Sequence, residues 1–280
     1  DEAVQQLIRR HAFPFQLVPD NNDRVMIECM EKGKSIRKYP REFSAMLLKF
    51  FHDELCRMNH VGLDDHLACV ISVPAYFGEF ERSETFQAGT QAGFNVLKIV
   101  NEPTAAIVAY ASQHPIDRPS RFLVFDFGGG TLDVTIADVE PTTPLTVTVV
   151  ATHGNLFLGG VDLDRVVVEM MTDQLQREYP DDFFELFETN TRKSVENRRK
   201  LQKLACQVKE DSFSLQQDAT IGLDGIDDEL VLTLSYGDFS NRAQEIFNRC
   251  VLVLAEVFSV NSIPVQSVDH VLMVGGSSHF

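Results

Sequence analysis

The sequence predicts an α/β protein in two lobes, and three observations predict it. Short apolar, β-prone runs alternate with amphipathic stretches at helical spacing, the pattern of layered α/β folds. Two of those runs, Phe122-Leu123-Val124-Phe125 and His270 to Val274, stop directly at glycine-rich turns, Asp126 to Gly130 and Gly275-Gly276-Ser277-Ser278. A polar loop bracketed by prolines, His114-Pro115-Ile116-Asp117-Arg118-Pro119, marks a junction between lobes at 1–115 and 116–280. The length of 280 residues suffices for two separate cores.

Taken in order, residues 44–58 (SAMLLKFFHDELCRM) carry apolar side chains at helical spacing and predict a helix. His66 to Val73 reads as a buried strand ended by Pro74. A helix is expected from about Gly78 to Gln91, then a strand from Asn95 to Val100. Glu102 to Ser112 reads as a helix with Pro103 in its first turn, where a missing N–H costs nothing. Past the junction, Phe122–Phe125, Leu132–Val139 and Leu145–Ala151 predict an antiparallel meander. Helices fit 162–178 and 192–212, strands 219–224 and 229–235, and a long helix 238–260 with Asp238 as N-cap. His270–Val274 is the last strand.

The composition is that of a soluble globular protein, 44% hydrophobic and 24% charged. No apolar run reaches the ~20 residues that cross a bilayer. The opening Asp1-Glu2-Ala3-Val4 has neither the basic nor the apolar part of a signal peptide. A net charge of −16 repels nucleic acid and anionic membranes, which are discounted as partners, and keeps the surface soluble. The five cysteines are scattered and form no C-x-x-C pair. They predict mostly small buried side chains in a reducing compartment rather than a disulfide framework or a zinc site.

The sharpest chemical signal is Asp126-Phe127-Gly128-Gly129-Gly130-Thr131-Leu132-Asp133. Three glycines directly after a buried strand add chain entropy and no packing. They let a backbone approach an anion closely and aim N–H groups at it, with the Thr131 hydroxyl as a further donor. Asp126 and Asp133 would repel a phosphate unless a divalent cation with its waters stood between. A tight hairpin turn with acidic flanks is the plainer alternative; the paired aspartates favour phosphate. No Lys-Ser or Lys-Thr follows the glycines, so the motif is not a P-loop. Gly275-Gly276-Ser277, again at a strand end, suits a ligand or a helix-start turn. Leu158-Gly159-Gly160-Val161-Asp162-Leu163-Asp164 reads by itself as a loop capping the next helix, and Glu102 as a complement to a helix dipole.

Together, VISVPAYFGEFER (70–82), AGFNVLKIVNEPTAAIVAY (92–110), FLVFDFGGGTLDV (122–134), LGGVDLD (158–164) and VLMVGGSS (271–278) resemble the nucleotide-binding domain of the seventy-kilodalton heat-shock chaperones. The glycine–aspartate loop is shared with actin and sugar kinases; the VPAYF and NEPTAA stretches are more specific to the chaperones. The resemblance implies a two-lobed, actin-like (ribonuclease-H-like) ATPase fold with ATP or ADP between lobes. It implies that Asp126, Gly128, Gly129, Gly130 and Thr131 hold the β- and γ-phosphates. Asp126 and Asp133 would then surround Mg²⁺ through water, with K⁺ as a further ion. Glu102 would act through water on the metal and the attacking water. Gly159 and Gly160 fall in a matching motif, and Gly275, Gly276, Ser277 and Ser214 match adenosine contacts. Pro74 and Arg82 match a relay to a peptide-binding domain. The same resemblance implies a J-domain co-chaperone, a nucleotide exchange factor and unfolded clients as partners, a stress-response role and a cytoplasmic location.

The chain also departs from the family. Nothing in residues 1–66 resembles the family's first phosphate hairpin, and the catalytic lysine has no counterpart. The first lobe is therefore expected to be incomplete, with exposed sheet edges, and hydrolysis impaired. Cys206-Gln207-Val208-Lys209-Glu210-Asp211 puts acidic residues where the family has a basic pair, and His279 stands where it has an arginine. Lys209 could replace the pair, but its register is expected to turn it away. A truncated chaperone ATPase and a non-hydrolysing chaperone-like regulator both remain open, with an actin-like or sugar-kinase relative behind them.

Overall fold

The computed structural model describes residues 15–31, 33–62, 67–189 and 191–280. Its contacts divide the chain into two units, Asp1–Ala105 and Ala106–Phe280.

In the first unit, β1 (Gln16–Pro19), β2 (Val25–Glu31) and β3 (Lys34–Lys38) form an antiparallel sheet in that order. Nothing in the sequence announces it, because these strands bury no residue and so lack the alternation of a half-buried strand. Helix α1 (Pro40–Met58) begins at Pro40 rather than Ser44. Proline suits the first turn, and the Glu42 carboxylate accepts the Tyr39 backbone N–H at 2.8 Å. Strand β4 (Ala68–Val73) pairs in parallel with β5 (Asn95–Asn101), and α2 (Glu79–Gln91) connects them. His66, expected to open β4, lies outside the described residues. Gly89 lets α2 press onto this sheet, since a Cβ there would stand 2.7 Å from Val96 Cγ2. A cavity of about 580 Å³ lies in this unit, walled by Tyr39, Arg41, Phe77, Phe80 and Glu84. It contains none of the predicted glycines.

Helix α3 (Glu102–Gln113) leads into the second unit, where the chain runs β6 (Ser120–Phe127), β7 (Leu132–Glu140), β8 (Thr146–Asn155), α4 (Gly160–Glu178), α5 (Pro180–Phe183), α6 (Arg192–Asp211), β9 (Ala219–Leu223), β10 (Asp227–Leu234), α7 (Tyr236–Val260) and β11 (His270–Val274). The predicted meander is present as β6–β7–β8, and β11 adds in parallel against β6, giving the order β11-β6-β7-β8. Alternation along β6 and β7 feeds both faces of this sheet. Leu123, Phe127, Leu132, Val134 and Ile136 enter the larger core with α4, α6 and α7. Phe122, Val124, Ala137 and Val139 pack with Ile107 of α3 on the other face. A bulge between Ile136 and Ala137 adjusts the register to β8.

Two sequence expectations need correction here, and one segment was not foreseen. The N-cap of α7 is Ser235, whose Oγ accepts the Gly237 N–H at 3.2 Å; Asp238 sits inside the first turn and pairs with Arg242 at 3.0 Å. The short helix α5 and the π-helical turn Phe184–Glu188 were not anticipated. All five cysteines are free, but only Cys56 and Cys250 are buried. Among the described residues no helix is long and apolar enough to cross a membrane.

Candidate functional site

The parallel pairing of β6 with β11 sets Asp126 opposite Val274, so the chain leaves both strands side by side into glycine turns. Gly275 adopts a left-handed φ of +85°, and a Cβ on it would collide with the Phe127 carbonyl and lie 2.8 Å from Asp126 Oδ1. The third glycine segment meets them at the start of α4. A Cβ on Gly159 would lie 2.5 Å from the N, Cα and C atoms of Gly130. One on Gly160 would collide with Ser277 Oγ. Three turns distant in sequence thus touch backbone to backbone, at separations only glycine permits.

Hydrogen bonds fix the junction. Gly128 O accepts from Gly160 N at 3.0 Å and from Ser277 Oγ at 3.0 Å, and Gly129 O accepts from Val161 N at 2.8 Å. The 128–130 bend is therefore packed on its carbonyl side. Its other side is open: a Cβ on Gly129, Gly130 or Gly276 would meet nothing within 4 Å. The α4 start is held in turn by Asp162, whose carboxylate accepts the Gly159 N–H at 2.9 Å.

Asp126 and Asp133 face each other across β6 and β7 as directly paired residues on one face. Burial pushes both carboxyls above their ordinary pKa; at Asp133 the Asp126 charge adds to this and a hydrogen bond from Thr131 at 3.2 Å opposes it. Asp133 Oδ1 is buried with no hydrogen-bond partner. Gly154, its neighbour on β8, provides the room, since a Cβ there would stand 2.7 Å from that oxygen. A buried, unpaired carboxylate oxygen beside a second carboxylate fits a divalent cation. Among the described residues no group of three or more His, Cys, Asp or Glu side chains could hold a metal ion alone. A cation here would take its remaining ligands from water and from the anion it accompanies.

The carboxyl burial gives a testable sign. A carboxyl whose pKa is raised on folding supports the fold fully below its ordinary value, near 3.8, and loses that support as pH rises through the folded value. Asp133→Asn is therefore expected to melt with the parent at pH 3 and above it at pH 7, in paired thermal melts. An advantage at pH 3 and none at pH 7 would contradict the burial argument.

Of the remaining predicted residues, Ser214 donates to Glu210 O at 2.6 Å at the end of α6, beside the buried Phe213. In the first unit, Arg82 donates from Nε to Phe77 O at 2.9 Å and from a terminal nitrogen to Asn101 Oδ1 at 2.6 Å. Pro74 O accepts the Phe77 N–H at 3.1 Å. The Pro74–Phe77 turn is thereby tied to the residue before Glu102, the first residue of α3. Lys209 corrects the sequence reading, because its register turns it inward. Its side chain is 7% exposed, ion-paired to Asp164 at 2.7 Å, and it donates to Gly160 O at 3.4 Å. Glu210 and Asp211 are exposed. Asp162, Asp164 and Gly154 were not among the predicted site residues.

A family model described as Hsp70 protein matches residues 1–280. The chain is 29% identical over 284 residues to heat shock cognate 70 kDa protein 3 of Dictyostelium discoideum, covering 99% of this chain and 42% of that one. It is 31% identical over 283 residues to a heat shock cognate HSP70 protein of Trypanosoma brucei brucei, with 99% and 39% covered. It is 30% identical over 283 residues to a ribosome-associated molecular chaperone of Zygosaccharomyces rouxii, with 99% and 43% covered. The chain thus spans 39% to 43% of the length of these curated relatives.

Proposed function

As the chain belongs to the Hsp70 family over residues 1–280, we propose that it is the domain by which a chaperone binds ATP and ADP with Mg²⁺. Its fold class is the actin-like α/β ATPase fold expected from the sequence. The observation that carries the proposal is the contact of three glycine turns, 128–130, 159–160 and 275–276, beside the Asp126–Asp133 pair. The exposed backbone at Gly129 and Gly130, with Thr131, suits a polyphosphate. Asp126 and Asp133 would hold Mg²⁺ through water, and the ion would supply charge neutralisation between carboxylates and phosphates. Gly275, Gly276, Ser277 and Ser214 would form the adenosine side, Glu102 would serve the water site, and Pro74 with Arg82 would relay nucleotide state. K⁺ is a further candidate ion.

Calorimetric titration of Mg·ADP and Mg·ATP into the folded chain tests this. Saturable binding abolished by EDTA is expected. No heat and no thermal stabilisation at millimolar nucleotide would sink it.

Turnover by the 280-residue chain is proposed to be slow. Among the described residues, the lysine beside the glycine turns is already engaged by Asp164, and Glu210 and Asp211 add negative charge at the end of α6. Those features also support the second reading, a chaperone-like regulator that binds nucleotide without turning it over. A J-domain co-chaperone, an exchange factor, unfolded clients and a reducing, cytoplasmic location belong to the same proposal.

A further inference from the structure

We propose that Lys209 is a positioning residue of the nucleotide site, a built-in cation whose charge sets how strongly this chain holds a phosphate-bearing ligand. The proposal rests on the nucleotide reading above and deepens it. Helix α6 keeps Arg192, Lys193, Arg199 and Lys203 in solvent, yet it buries Lys209. A buried ammonium is costly unless paired, and an apolar side chain would fill the same space without that cost. Its surroundings give the reason for a charge. The Nζ atom lies 2.7 Å from Asp164 Oδ1 and 3.4 Å from Gly160 O. A Cβ on Gly160 would stand 3.3 Å from that Nζ and collide with Ser277 Oγ, so Lys209 reaches the spot where the second and third glycine turns meet.

Two effects follow. Lys209 holds the Gly160 carbonyl, and thereby the turn whose Gly160 and Val161 N–H groups fix the carbonyls of Gly128 and Gly129. It also neutralises Asp164, which follows the first turn of α4, where an unpaired carboxylate would repel an anion. Nucleotide affinity should therefore fall when the Lys209 charge is removed and rise when the Asp164 charge is removed. A purely structural ion pair would give no such opposition, because breaking it from either side only lowers stability.

The experiment titrates Mg·ADP into the chain and its variants, with melting curves recorded alongside so that only folded protein is compared. Lys209→Met, which keeps the length and removes the charge, is expected to bind about tenfold more weakly. Asp164→Asn is expected to bind roughly threefold more tightly, and the double variant to return to within about threefold of the parent. A Lys209→Met protein that melts lower but binds ADP as the parent does would make the residue structural and overturn the proposal. If Lys209→Met fails to fold, Asp164→Asn decides, and unchanged or weaker binding overturns it. A folded parent that binds no Mg·ADP would instead sink the nucleotide reading itself.

Discussion

Replacing Gly159 by alanine is expected to weaken nucleotide binding about a hundredfold, equivalent to about 2.8 kcal/mol. The new methyl group would lie 2.5 Å from three backbone atoms of Gly130. Backbone cannot swing aside as a flexible side chain can, so either the 128–130 bend or the start of α4 must move. The bonds from Gly160 N and Val161 N to Gly128 O and Gly129 O stand in the way of both. Alanine at Gly237, at the start of α7 and away from the three turns, is the control, because its Cβ would meet only Ser235 Oγ at 3.5 Å, an ordinary contact. Mg·ADP titrations of the two variants should separate them widely, with Gly159→Ala by far the weaker. Equal affinities would show that the close approach of the turns does not matter to the ligand.

Replacing Phe213 by alanine is expected to cost about 3–5 kcal/mol of stability, the range for a large aromatic side chain lost from a well-packed core. Phe213 is 1% exposed and stacks on Phe239 with ring centroids 4.6 Å apart. It also lies at the join between the end of α6 and Ser214, so its loss loosens the element that carries Lys209. A fall in melting temperature of roughly 6–20 °C should appear by calorimetry, taking about 2–4 °C per kcal/mol for a unit of this size. A shift below about 2 °C would mean that the ring is replaceable there.

What the sequence disclosed depended on how each element buries its side chains. Strands β6, β7 and β11 and helices α4 and α7 announced themselves through apolar runs or periodicity. The β1–β3 sheet did not, because its side chains are nowhere fully buried and so impose no pattern. At α7, Ser235 and Asp238 are both capping residues. The choice fell to Ser235 because the Asp218 carboxylate, distant in sequence, accepts the Tyr236 N–H at 2.7 Å and starts the helix earlier. Lys209 follows the buried Leu201 and Ala205 by successive i+4 steps, so its face was legible; its charge disguised a core position. Gly154 could not be found from sequence, since only the cross-strand register brings it opposite Asp133.

The parallel joining of β6 to β11 also governs when the site can exist. The Arg121 N–H bonded to the Asp269 carboxylate bridges 148 residues of sequence. On a ribosome adding about 5–20 residues per second, β6 emerges roughly seven to thirty seconds before its partner. Through that interval β7 covers one edge of β6 while the other lies bare, as an adhesive margin for any passing strand. Ligand competence thus waits on β11, and synthesis stalled before His270 would release a sheet still open on that side.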